Sequence, residues 1–407
     1  MEQGAVRGPM TRRQLLRVIG LSAGSAAMYQ AMASLGLAAE SPFTGTPQLG
    51  EAPPGATVLV LGAGIAGMVA AYELRKAGYR VQVLEYAARA GGRNLTFRGG
   101  TQYTELGGET QHCRFDPGLY INPGPWRLPH HHHGILGYCR QFGVPLENFV
   151  QVNHQALLHS TDAFDGKPQR YRAVKADYQG HVAELLAKAT QGGKLDAPLV
   201  REDQERLLES LRWWGALDQD FKYAKNLVSS ERRGFDRDAG GGLSGRPVPS
   251  TPVGLQQMLG SELWSSLPIG DLYEMQGTLL QPVGGMDRIA DAFANELTGL
   301  IRFNAKVVDI HQDASGVRAT YEDTTAPGSR HTASADWCVC TLPLSILGQV
   351  PMNVGRPMAD AISALPYAAA VKVGLQFKRR FWEEDDHIYG GISYTNLPIG
   401  NIGYPST

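Results

Sequence analysis

Residues 56–93 read ATVLVLGAGIAGMVAAYELRKAGYRVQVLEYAARAGGR, and the rest of the chain is arranged around them. Thr57 to Leu61 is a short unbroken apolar run, the pattern of a parallel strand buried on both faces. It ends in Gly62-Ala63-Gly64-Ile65-Ala66-Gly67, a G-x-G-x-x-G turn. Met68 to Ala77 carries apolar residues at helical spacing and stops at Gly78, after which Arg80 to Leu84 alternates as a second strand. Gly62 permits the tight turn, Gly64 lets the main chain approach a pyrophosphate, and Gly67 lets helix and strand pack closely. Ile65 and Ala66 open the helix, whose N-terminus faces negative charge. Glu85, with Tyr86 after it, ends the second strand, where a carboxylate accepts hydrogen bonds from ribose hydroxyls. The unit is a dinucleotide site, and its glycine spacing leaves NAD and FAD both open.

The continuation, Arg89-Ala90-Gly91-Gly92-Arg93, adds paired glycines that let a loop lie close to a ligand and an arginine that can meet phosphate. Strand, G-x-G-x-x-G, Glu and then G-G-R together resemble the N-terminal signature of the flavin-containing amine oxidase superfamily, with bacterial FAD-dependent L-amino acid oxidases as the nearest likeness. The resemblance implies FAD as the cofactor, with Gly92 and Arg93 beside it. It also implies an α/β fold: a Rossmann-like FAD-binding domain of the GR2 type, with an inserted helical domain and a mixed-sheet substrate domain.

After the signature, Asn94 to Thr104 reads as a hairpin turning at Gly99-Gly100, leading into Glu105-Leu106-Gly107-Gly108-Glu109. The latter resembles a second flavin-proximal glycine pair, with an ordinary turn as the alternative. Ile121-Asn122-Pro123-Gly124-Pro125-Trp126-Arg127-Leu128-Pro129 stiffens the main chain around one arginine, so that its planar fork is aimed and suited to a carboxylate. The segment resembles the G-P-x-R-[IL]-P motif of L-amino acid oxidases. That resemblance implies that Arg127 holds the substrate α-carboxylate and that Gly124, Pro125 and Trp126 lie by the isoalloxazine. The alternative is an arginine that braces a loop. The four histidines that follow, His130 to His133, point in successive directions and lack a carboxylate or cysteine pattern, so no metal is expected there.

Asp177 to Ala189 and Arg201 to Leu211 read as amphipathic helices, Trp213 and Trp214 read as core, and residues 238–252 as a glycine- and proline-rich loop. Pro282-Val283-Gly284-Gly285-Met286 resembles the superfamily turn that re-enters the FAD domain, with a helix from Ile289 to Leu297. Ile301 to Ile310 is read as a strand, with Val307 on the adenine side by resemblance, and Val317 to Tyr321 as its hairpin partner. Asp336 to Leu344 resembles a further family strand and turn. Val371 to Phe377 alternates as a strand, with Val371, Val373, Leu375 and Phe377 on one face and Lys372, Gly374 and Gln376 on the other. On that reading alone Lys372 faces water. The match of this stretch and of Phe381-Trp382 to the family pattern implies instead that Lys372 holds a water near the flavin and takes part in its reoxidation by oxygen.

With 407 residues, 43% hydrophobic and 19% charged, the chain is globular and long enough for two or three domains. A formal net charge of −1 gives no basic footprint for nucleic acid. Cys113, Cys139, Cys338 and Cys340 show no metal spacing, and the last two read as buried thiols on one strand face and not as a bridge. Thr11-Arg12-Arg13-Gln14-Leu15-Leu16 before an Ala/Gly-rich segment reads as a twin-arginine signal, implying export to the periplasm or exterior. Ser22, Ser25, Gln30 and Ser34 interrupt the apolar run and argue against a stable membrane anchor.

The expected organisation is a signal at 1–40, a linker at 41–55, FAD-binding segments at 56–130 and 257–345, a helical funnel region at 131–256 and a substrate-binding region at 346–407. The resemblance covers residues 55 to 407. The family's C-terminal F-A-G-E-type motif does not occur in the sequence, so a chain shorter than its relatives, with weaker FAD binding, is expected. The reaction implied is oxidative deamination of L-amino acids, with the amino acid and oxygen as partners and a homo-oligomer left open. The alternatives are an amino acid 2-monooxygenase, an amine oxidase without carboxylate recognition, and a non-catalytic flavoprotein fragment.

Overall fold

The computed structural model describes residues 45–104, 108–196, 199–242 and 245–406. The twin-arginine segment and Glu105-Leu106-Gly107 lie outside the described residues. Two compact units emerge: one ends at Glu147 and resumes over Leu280–Gln376, the other holds Asn148–Leu279 and the residues from Phe377 onward.

The first unit is built on a four-stranded parallel sheet in the order Ile301–Arg302, Arg80–Leu84, Thr57–Leu61, Trp337–Cys340. Because successive side chains leave a strand on opposite faces, Thr57–Leu61 feeds two cores at once, which is why its sequence is apolar throughout. Val58 and Val60 join Met68, Ala71 and Tyr72 of the helix Ile65–Lys76 and Ile289 and Phe293 of the helix Asp287–Glu296. Tyr72, Tyr138, Phe142 and Phe293 pack there mostly edge to face. On the other face Leu59, Leu61 and Leu84 meet Ala305, Ala319, Tyr321 and Ala333 of the antiparallel meander Ala305–Asp313, Gly316–Asp323, Arg330–Ala335. Burial of each large side chain in these cores stabilises by about 1.5–3 kcal/mol.

Four expectations are revised in this unit. The single strand Ile301 to Ile310 is two, because Asn304 takes a positive φ of 59° and turns the chain between them. The hairpin at Gly99-Gly100 does not form: Phe97–Arg98 pairs with Tyr120–Ile121, and Gln102–Thr104 with Thr110–His112. A side chain at Gly99 would strike the Phe115 carbonyl oxygen, so that glycine marks a close approach and not a hairpin tip. Residues 371–376 form no strand and have no ladder partner among the described residues. Their apolar face is also left uncovered: Val371, Val373 and Leu375 are 87%, 72% and 71% exposed. Gly374 instead lies against Phe115 and Ile121, and Gln376 accepts the Asp116 main-chain N–H. Cys338 is half-buried, its thiol pushed up to about 12 by burial, whereas Cys340 is exposed at a sheet edge.

The second unit combines the helices Tyr171–Gln191, Arg201–Gly215, Leu227–Arg233 and Leu255–Gly260 with a mixed sheet in the order Gln169–Arg170, Leu157–His159, Gly391–Thr395, Asn401–Tyr404. Both amphipathic helices form, the first extending well beyond the residues expected. Its Asp177, fully buried, accepts from Arg233 Nε at 2.8 Å, Tyr223 Oη at 2.7 Å and the Val253 N–H at 3.0 Å. Trp213 and Trp214 are 72% and 45% exposed and not core, since Leu207, Leu208 and Leu211 already form the buried stripe of that helix. Among the described residues no helix is long and apolar enough to cross a membrane.

Candidate active site

The glycine-rich turn sits at the carboxyl end of the central strand, where Gly62, at a φ of 99°, donates its N–H to the Leu84 carbonyl at 2.8 Å. Gly67 is forced: a Cβ there would lie 2.0 Å from the Gly62 oxygen. Gly64 is free in the opposite sense, since a Cβ would meet nothing within 4 Å. It begins the helix Ile65–Lys76, whose N-terminus carries no side-chain cap. An uncapped helix start behind an open glycine is a fitting seat for a phosphate. Thr341, at the end of the neighbouring strand, closes the turn from behind by donating from Oγ1 to the Leu61 carbonyl at 2.8 Å.

Glu85 is buried with its carboxylate turned into the same turn. One oxygen accepts the Ala63 N–H at 2.6 Å and the other the Ala87 N–H at 2.9 Å. These bonds fix the carboxylate and leave each oxygen a further lone pair for a ribose hydroxyl. Tyr86, beside it, is exposed. The Gly91-Gly92 pair takes positive φ at both residues and lies against the turn: Gly91 donates to the Ala63 carbonyl at 2.8 Å, and a Cβ on Gly92 would come within 3.4 Å of the Gly64 Cα. Arg93 stands exposed at this rim. Gly62, Gly64, Ile65, Ala66, Gly67, Glu85, Gly92 and Arg93 thus form one cradle whose open side suits a dinucleotide such as FAD. Val307 lies on the strand that follows this rim. Its side chain packs into the second core, and it follows Ala305, whose N–H binds the Glu85 main-chain carbonyl at 2.8 Å.

The loop 122–127 is clamped to this rim. A Cβ on Gly124 would stand 1.9 Å from the Arg93 carbonyl oxygen, so only glycine lets the two segments touch. Pro125 is exposed, while Trp126 and Arg127 are half-buried. Trp126 Nε1 donates to the Asn122 carbonyl at 2.7 Å. Lys372 reaches into the loop, donating to the Gly124 carbonyl with its Nζ 4.3 Å from the centre of the Trp126 ring. Loss of water around the ammonium and, secondarily, the Arg127 guanidinium push the Lys372 pKa down to about 8, although the residue as a whole is exposed. Gly124, Trp126, Arg127 and Lys372 are therefore one constellation. Its chemistry is that of a guanidinium able to meet an anionic group beside a lysine whose pKa is lowered to about 8.

Asn122, Arg98 and Asp287 carried no assigned role in the sequence. Asn122 is buried, and its Oδ1 accepts Thr96 Oγ1–H at 2.7 Å and the Met286 N–H at 2.9 Å. Arg98 grips Asp287 through two bonds of 2.6 and 2.8 Å and also donates to the Gly284 carbonyl. The only available signal was an asparagine directly before a Pro-Gly-Pro run, where a short acceptor can brace a turn.

The family of flavin-containing amine oxidoreductases matches residues 65–406. The chain is 29% identical to an L-amino-acid oxidase of Bothrops pauloensis over 357 residues, which is 86% of this chain and 64% of that protein. It is 28% identical to L-amino-acid oxidases of Notechis scutatus scutatus, over 86% of this chain and 63% of that protein, and of Naja atra, over 86% and 64%. It spans less than two thirds of the length of these relatives. A match over nearly the whole described chain, on top of a cradle built glycine by glycine for a dinucleotide, makes this protein a member of the flavin-containing amine oxidoreductase family.

Proposed function

We propose that the protein is an FAD-dependent L-amino acid oxidase. The observation that carries the reading is Lys372 bonded to the Gly124 carbonyl, with the Trp126 ring beside its ammonium and the Arg127 charge close enough to act on it, on a loop packed against the Arg93 carbonyl. In the balanced reaction an L-amino acid, oxygen and water give a 2-oxo acid, ammonia and hydrogen peroxide. Two electrons leave the Cα–H and amine of the substrate, the resulting imine is hydrolysed, and oxygen takes two electrons and two protons.

Arg127 binds the α-carboxylate through paired N–H donors and so fixes which hydrogen of Cα is presented. Gly124 and Pro125 hold that arginine at a set distance from the cradle. Lys372 can hold or release a proton at Nζ close to working pH, through a water in the manner expected of the family. Bound FAD supplies the two-electron acceptor and, once reduced, the donor to oxygen. An inserted helical domain, a mixed-sheet substrate domain and export by the twin-arginine route belong to the same reading. Its residue basis for export is Arg12-Arg13 ahead of the Ala/Gly-rich segment.

The test is a visible spectrum of the protein purified with FAD, followed by anaerobic addition of L-amino acids. Bleaching of the flavin bands, peroxide on readmitting air, and ammonia without carbon dioxide are expected. Arg127→Met should lower kcat/KM for amino acids by roughly 10²–10³-fold, the scale for losing one partner of a desolvated charge pair. Equal reduction by amines that lack a carboxylate, or an Arg127→Met enzyme that still prefers amino acids, would overturn the assignment.

A further inference from the structure

We infer that Asn122 is the positioning residue of this site: it ties the loop 122–127 to the Thr96–Met286 frame and thereby sets where Trp126, Arg127 and Lys372 stand. The inference rests on the reaction proposed above. The two ends of Asn122 face different partners. On one side its Oδ1 accepts the Thr96 hydroxyl at 2.7 Å and the Met286 N–H at 2.9 Å. On the other its main-chain carbonyl accepts Trp126 Nε1–H at 2.7 Å and stands 3.5 Å from Lys372 Nζ.

The frame behind Asn122 is itself rigid. Thr96 is buried and accepts the Asp287 N–H at 3.2 Å, so its single hydroxyl proton is directed to Asn122. Gly285, at a φ of 123°, presses so closely on Thr96 that a Cβ would lie 2.5 Å from it. The position therefore demands a short side chain with one oxygen able to accept two donors at once. Alanine leaves both donors unsatisfied in a buried place and frees the loop to turn. Lys372 and Trp126 would then lose the carbonyl that gathers them, and Arg127, one residue further on, would lose its fixed approach. The side-chain oxygen of Asn122 does the positioning.

The test compares Asn122→Ala, Thr96→Val and Thr96→Ser with the wild-type chain, using two readouts. The first is the pH midpoint for acetylation of Lys372 by acetic anhydride, followed by peptide mass spectrometry; it needs neither FAD nor turnover. The second is kcat and KM for an L-amino acid in FAD-loaded protein. Expected are a wild-type labelling midpoint near 8, and midpoints raised by about one unit or more in Asn122→Ala and Thr96→Val as water regains the ammonium. A tenfold to hundredfold fall in kcat with FAD retained is expected alongside, the scale of a small displacement of reacting groups. Thr96→Ser, which keeps the hydroxyl, should restore both readouts toward wild type. An unmoved Lys372 midpoint in both deletions, or Thr96→Ser no better than Thr96→Val, overturns the inference. If Asn122→Ala does not fold, the Thr96 pair decides. A wild-type chain that labels as expected but turns over no amino acid defeats the proposed reaction and leaves the positioning of Lys372 supported.

Discussion

Replacing Gly124 by alanine should separate the reactive loop from the cofactor cradle without removing a polar group. The added Cβ would start 1.9 Å from the Arg93 carbonyl oxygen and 3.1 Å from its carbon. A relaxed carbon–oxygen contact needs roughly 3.3 Å, so the two main-chain segments must part by about 1.4 Å. No rotamer can relieve the clash, because both sides are backbone. Overpacking of this kind costs about 1–3 kcal/mol of stability. A displacement of about 1 Å in reacting groups costs roughly 10²-fold in rate, or about 2.7 kcal/mol of transition-state stabilisation. The assay is anaerobic stopped-flow at saturating L-amino acid, following the flavin band in protein loaded with FAD. Gly50→Ala, where a Cβ meets nothing within 4 Å, serves as the control. A Gly124→Ala enzyme that binds FAD and is reduced within threefold of the wild-type rate would refute the reasoning.

Gly64→Ala should fold like wild type, since a Cβ there meets no protein atom within 4 Å, yet bind FAD at least tenfold more weakly by occupying the phosphate approach. Gly67→Ala should instead lower the unfolding temperature, because its Cβ would lie 2.0 Å from the Gly62 oxygen; equal effects of the two on FAD affinity and melting would contradict the assignment. Lys372, with its pKa lowered to about 8, binds fewer protons folded than unfolded between pH 8 and its ordinary value near 10.5. Stability from this group therefore rises with pH across that window. Lys372→Met should melt higher than wild type below pH 8, with the difference vanishing toward pH 10.5, as read by thermal scans at several pH values. Asp177→Ala strands the buried Arg233 guanidinium and should cost about 3–5 kcal/mol in denaturant unfolding; a loss under 1 kcal/mol would count against that pair.

The stretch 57–93 was legible because strand, turn, helix and strand are neighbours in sequence and each glycine is dictated by local geometry. Gly64 and Gly67 look alike on the page and differ only in what lies beyond them, yet the pattern places both. The loop at Arg127 was legible for a similar reason, since proline and glycine restrict a backbone whatever surrounds it. Long-range partners were not. The Arg98–Asp287 grip joins residues 189 apart, and nothing in either neighbourhood names the other. Alternation in 371–377 revealed two faces but not which one the protein would cover. The face that makes contacts proved to be the polar one, although Lys372 and Gln376 stay exposed: both find main-chain partners, and Gly374 fits where a larger side chain would strike Phe115 and Ile121. Trp213 and Trp214 show the limit of residue type as a guide, since leucines had already filled the buried stripe of their helix.

The central strand Thr57–Leu61 is hydrogen-bonded to Trp337–Cys340, and Thr57 meets Asp336 across 279 residues of chain. Parallel pairing over such a separation must close a very long loop before any contact rewards it, so it forms late. The glycine turn can thus be synthesised early and still be unfinished, because Thr341, which closes it from behind, follows Leu61 by 280 residues. Cofactor capture then belongs to the end of folding. Free FAD added to a refolding mixture should raise the final yield of native protein while leaving the early phases of refolding at their original rates.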